Sequence, residues 1–111
     1  MKALAVICIL LVAASIASPQ GYVPKSGFVP DSKTARKIAE AVLVPIYGEA
    51  KIQEEQPFTA KLEGDIWIVA GTLRCKDQNG KTLSGEHCMG EVAVVKLAKS
   101  DGRILSMTHY K

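Results

Sequence analysis

The sequence is poor in the residue types that carry metal binding and catalysis. In 111 residues there are two histidines, His87 and His109, and three cysteines, Cys8, Cys75 and Cys88. Their spacing matches no zinc pattern, and the adjacent pair His87-Cys88 is awkward for tetrahedral coordination, so no metal and no other cofactor is expected. Aromatic residues make up 5% of the chain and never interleave with basic ones, while the net charge is only +3 with the basic residues scattered. A nucleic-acid partner has nothing to bind in such a pattern. The longest apolar run, Ala3 to Ala14, is too short for a stable membrane anchor. The length allows one domain.

That apolar run has another use. Lys2 precedes it and Ser15-Ile16-Ala17 follows, with small residues at the −3 and −1 positions of a signal-peptidase site. Residues 1–17 therefore read as a signal peptide cleaved after Ala17, rather than as a buried N-terminal helix. Cys8 lies inside the run and not after it, which argues against a lipid anchor. In an exported protein the remaining pair, Cys75 and Cys88, reads as a disulfide. A core of this size is marginal, about 5 kcal/mol, and closing the segment 75–88 adds about 3 kcal/mol in the chain-entropy account.

Residues 18–30 hold Pro19, Pro24, Pro30, Gly21 and Gly27, a leader unfit for regular structure. Its apolar members Tyr22, Val23, Phe28 and Val29 suit it to lie partly against the domain that occupies residues 31–111. Asp31 is a natural N-cap, and Ala35, Ile38, Ala39, Val42 and Ile46 form one apolar stripe of a helix ending at Tyr47 or Gly48, its last turn kinked or tightened by Pro45. Residues 49–56 read as a short edge strand. Phe58, Ala60 and Leu62 alternate in a strand that Glu63-Gly64-Asp65 turns into a second, Asp65 to Leu73. Being apolar on both alternating faces, that second strand belongs in the middle of a sheet covered on both sides. Arg74 to Gly90 is a long polar connection that the disulfide would close into a finger. Glu91 to Leu97 should pair beside the central strand, and Arg103 to His109 forms the last strand.

Several segments also look familiar as a set. Val29-Pro30-Asp31-Ser32-Lys33-Thr34-Ala35, Ile38-Ala39-Glu40-Ala41, Pro45-Ile46-Tyr47-Gly48, Pro57-Phe58-Thr59-Ala60, Trp67-Ile68-Val69-Ala70-Gly71-Thr72-Leu73, Gly90-Glu91-Val92-Ala93 and Asp101-Gly102-Arg103-Ile104-Leu105 follow in order. Together they resemble the immunity proteins of bacterial polymorphic-toxin systems with a nuclear-transport-factor-2-like, or cystatin-like, fold. The resemblance runs from Val29 to His109. It implies an α+β domain with one N-terminal helix packed on a curved antiparallel sheet of four to five strands. It also implies a protein that binds and neutralises a cognate toxin without turnover, here in the periplasm. The shared positions read as structural: Pro45 and Gly48 shape the helix end, Trp67 fills core volume, and Gly71 allows a bend or bulge.

The finger offers the contact surface, with Lys76, Asp77, Gln78, Asn79, Lys81, Glu86 and His87 braced between Cys75 and Cys88. A braced loop loses little entropy on binding. Two other functions stay open, a small-ligand or enzymatic domain using the space between helix and sheet, and an inhibitor of an envelope protease. The assigned in-facing positions, Phe58, Ala60, Leu62, Val92 and Val94 or their neighbours, are not ionisable. Acid–base work thus requires two of Glu91, His109, Asp65 and Tyr47 to converge. The sequence does not fix the oligomeric state.

Overall fold

A computed structural model describes residues 21–110; the signal-peptide reading of 1–17 lies outside them. Asp31 opens the first helix, α1 (Ser32–Tyr47), by accepting the Thr34 amide at 2.8 Å. Gly48 closes it at φ 87°, its amide bonded to the Val44 carbonyl. Ala35, Ala39 and Leu43 are its buried line, with Ile38 and Val42 packed alongside. Ile46, expected in that line, is exposed. At four residues per step the stripe drifts round the helix, and Leu43 rather than Ile46 completes it.

Gly48 ends one helix and starts another. Residues 49–56, read as an edge strand, instead form a second helix, α2 (Glu49–Glu54), packed against α1. Six residues are too few for periodicity to distinguish the two states. Ala50, Lys51, Gln53 and Glu54 are good helix formers, and Ile52 with Glu55, three residues apart, both turn inward.

The main sheet has four antiparallel strands, β1 (Thr59–Glu63), β2 (Ile66–Ala70), β5 (Val92–Ala98) and β6 (Ile104–Tyr110), in the order β1-β2-β5-β6. The hairpin turn at Gly64-Asp65 and the pairing of β5 beside β2 are as the sequence indicates. Register places Ala60, Val69, Val95 and Met107 side by side on the face against α1, with Trp67 beside Leu97. The core is this face plus Val29, Ile52 and Phe58. Trp67 is a core residue whose Nε1 donates to the Val29 carbonyl at 2.8 Å.

Three expectations need correction. The second face of β2 is not covered as its first is: Ile66 is exposed and Ile68 and Ala70 are half-buried. Val92 and Val94 share that outer face, while Ala93 and Val95 point inward, because neighbouring residues of a strand alternate. The connection 74–90 is not a plain loop. It folds as a separate hairpin of β3 (Arg74–Lys76) and β4 (Thr82–Ser84), followed by a single 3₁₀ turn, Gly85–His87. Three-residue strands carry too little alternation to be seen in sequence. Of the leader's four apolar residues only Val29 is buried, while Tyr22, Val23 and Phe28 are exposed; the described part is held through its backbone, the Phe28 and Val29 amides donating to the Ser100 and Lys99 carbonyls and Lys99 Nζ to the Ser26 carbonyl.

Candidate functional site

At the end of the sheet where β2 leaves for β3, a cleft of about 390 Å³ separates the finger from α2. Arg74, Lys76 and Thr82 of the hairpin form one wall, Lys51 and Glu54 the other, and Leu73, Glu55 and Glu91 the floor. The finger is held by the Cys75–Cys88 disulfide, Cα atoms 5.5 Å apart, and by the Gly85 amide on the Leu73 carbonyl. It has no fully buried residue of its own.

The expected contact residues divide in two. Lys76, Gln78, Asn79, Lys81, Glu86 and His87 are exposed around the hairpin. Asp77 builds the turn instead: its Oδ1 accepts the Asn79 and Lys81 amides, each at 2.9 Å, and its carbonyl accepts the Gly80 amide. The side chain that gives the finger its shape is thus half-buried and spent on the turn.

Beneath the cleft lies a cluster that sequence reading found only in part. Glu55, just past the end of α2, is almost wholly buried, its side chain 5% exposed. Its Oε1 accepts the Ala93 amide at 2.6 Å, its carbonyl accepts the Thr72 amide at 2.7 Å, and its Oε2 lies 3.2 Å from His109 Nε2. The other ring nitrogen, Nδ1, lies 2.8 Å from Glu91 Oε2. The Tyr47 ring packs on His109 with centroids 5.1 Å apart. Of the four groups whose convergence mattered, Glu91, His109 and Tyr47 meet here and Asp65 does not; Asp65 stays in the β1–β2 turn. Glu55 was missed because it sits in the segment read as an edge strand. Its signal is the spacing of three from buried Ile52.

Gly71 has its reason here as well. A Cβ at this position would meet Glu55, 2.9 Å from its Cβ and closer still to Oε1. The glycine makes room for a buried carboxylate, and the strand irregularity lies elsewhere, between Lys96 and Leu97. Chemically the cluster is a chain of acceptors around one ring, with no Ser, Thr or Cys among the groups hydrogen-bonded to His109. Glu55 has both oxygens engaged, whereas Glu91, 36% exposed, is held to the ring by Oε2 alone and lines the cleft. Among the described residues no group of three or more His, Cys, Asp or Glu is placed to hold a metal ion, and no helix is long and apolar enough to cross a membrane.

Comparison with known proteins agrees with this architecture. The chain is 26% identical over 92 residues to YhhH of Escherichia coli (strain K12), an uncharacterized protein; the match covers 83% of this chain and 65% of that one. The chain therefore spans just under two-thirds of the length of the curated relative it matches. No solved structure matches it. Residues 34–111 match the family model described as NTF2 fold immunity protein, a class associated with the neutralisation of toxins. With that match spanning the helix, the sheet and the finger, the chain belongs to the NTF2 fold immunity protein family.

Proposed function

We propose that this chain is an exported immunity protein that binds a cognate toxin in the periplasm and blocks it without turnover, using the finger and the adjoining cleft. The family supplies the general activity; the observation that carries the finer reading is the finger itself. A hairpin of two three-residue strands has no core and would be marginal alone. Here a disulfide fixes it beside a cleft lined by charges of both signs, with its polar side chains pointing outward. Such a surface binds with little ordering cost and selects partners by charge complementarity. The same disulfide fits an oxidising compartment.

The test uses tagged residues 18–111 as bait for secreted proteins of the native organism, together with growth of cells that express the captured partner. A single stoichiometric toxin domain should be retained, and co-expression should restore growth. Both effects should fail for Cys75→Ser with Cys88→Ser and for Lys76→Ala with Lys81→Ala. Retention that survives both double variants would rule out the finger as the contact.

One observation favours a second reading. Glu91, which lines the cleft, meets His109 beside Tyr47 beneath it, a convergence that an acid–base or ligand-binding function needs. A small molecule co-purifying with the protein and displaced in Glu91→Gln, with no toxin captured, would select it.

A further inference from the structure

We propose that Glu55, His109 and Glu91 form a proton-gated latch that decides whether Glu91 is locked against the core or turned into the cleft. The reasoning is a count of protons. Both ring nitrogens of His109 face carboxylate oxygens, Nδ1 that of Glu91 at 2.8 Å and Nε2 that of Glu55 at 3.2 Å. Ionised carboxylates only accept, and a neutral imidazole carries a single N–H. Two contacts need two protons. With both contacts made as hydrogen bonds, the cluster holds one proton more than a neutral ring between two carboxylates.

Removing that proton sets one nitrogen lone pair against an oxygen lone pair, and burial decides where. Glu55 Oε2 has no replacement donor: its side chain is 5% exposed, and its other oxygen is committed to the Ala93 amide. Glu91 is 36% exposed and lines the cleft, so water can take over from the ring. The proton is thus lost from Nδ1 to solvent, the remaining one stays on Nε2, and Glu91 swings away. The charged groups awaiting the freed carboxylate are Lys51 and Glu54 of α2 and Arg74 and Lys76 of β3, while Tyr47 of α1 covers the ring. The floor of the cleft gains a mobile carboxylate as pH rises, and its charge becomes one unit more negative. The latch works in the protein alone and needs no toxin.

The test is nuclear magnetic resonance on the full chain between about pH 5 and 9, following the His109 ring nitrogens, the glutamate side-chain carboxyls and the Ala93 amide. At the acid end both nitrogens should be protonated. As pH rises Nδ1 alone should lose its proton, the Glu91 carboxyl should shift in the same step, and the Ala93 amide should keep its exchange protection. Loss of the Nε2 proton first, movement of Glu55 with the ring, or a ring that is neutral throughout would each overturn the latch. Glu91→Gln gives an independent check, since the amide can donate to a neutral Nδ1. It should remove the coupled step and leave an Nε2–H ring across the range; an unchanged step would refute the mechanism.

Discussion

Replacing Gly71 by alanine adds one methyl group, and the structure says what it meets. Gly71 lies where the chain leaves β2, and its amide donates to the Ala93 carbonyl at 3.0 Å, so the backbone here cannot retreat without breaking the end of the β2–β5 pairing. An added Cβ would be 2.9 Å from Glu55 Cβ, well inside van der Waals contact, and nearer again to Oε1. Glu55 cannot swing aside freely, because Oε1 is held by the Ala93 amide and Oε2 faces His109. Overpacking of this kind costs about 1–3 kcal/mol, and displacing Glu55 forfeits a charge-assisted bond worth about 1.5–3 kcal/mol. The two costs overlap, because a Glu55 that gives way relieves the clash, so Gly71→Ala should destabilise by about 2–4 kcal/mol, a fall in Tm on the order of 10 °C or more for a domain this small. Urea denaturation, with the slope unchanged, measures it. Gly21→Ala is the control, since nothing lies within 4 Å of a Cβ there, and its effect should be close to zero. A Gly71→Ala protein as stable as Gly21→Ala would refute the account of Gly71 as space reserved for a buried carboxylate.

Trp67→Phe removes the Nε1–H that satisfies the Val29 carbonyl; it should cost about 1–3 kcal/mol. Hydrogen exchange at the Phe28 and Val29 amides should quicken along with it, the mark of a leader lifting off the domain. Asp31→Ala removes the cap of α1 and should lower Tm. The Thr34 backbone amide, followed by the Thr34 side chain, holds the Asp31 carboxyl below its ordinary value in the folded protein. Its contribution is therefore present above the carboxyl's unfolded pKa and lost as pH falls through the folded one. The Tm gap between wild type and Asp31→Ala should be full at neutral pH and close in strong acid; a gap unchanged in acid would contradict the capping role.

What could be read from the residues was what local chemistry repeats. Asp31 and Gly48 bracket α1 because caps act within one turn, and Phe58 to Ala70 shows a hairpin because a tight turn separates two apolar runs. The disulfide pairing follows from Cys75 and Cys88 being the two cysteines that lie outside the N-terminal apolar run. Where few residues carry an element, the pattern fails: α2 has one buried residue and β3 and β4 three residues each. The exposure of the outer face of β2 is not legible, because apolar composition on two sides does not say that anything covers the second. The cluster under the cleft was least legible. Its members come from α2's end, the start of β5 and the end of β6, and only the register brings His109 opposite Ala93 and so beside Glu91. The finger's surface residues, by contrast, needed no long-range information.

The distance in sequence between Glu55 and His109, 54 residues, also bears on the order in which the molecule is made. On a nascent chain α1, α2, β1 and β2 can assemble from local contacts, but Glu55 then has no ring to face until the last strand arrives. A carboxylate with a missing partner resists burial, so the segment around Gly71 and Thr72 should stay loosely attached while β6 is still absent. Docking of β6 supplies His109 and β5's outer neighbour in one step. The floor of the cleft is therefore the part of the molecule that matures last, and a chain halted before His109 would have its helices and first hairpin but no ring for Glu55 to face.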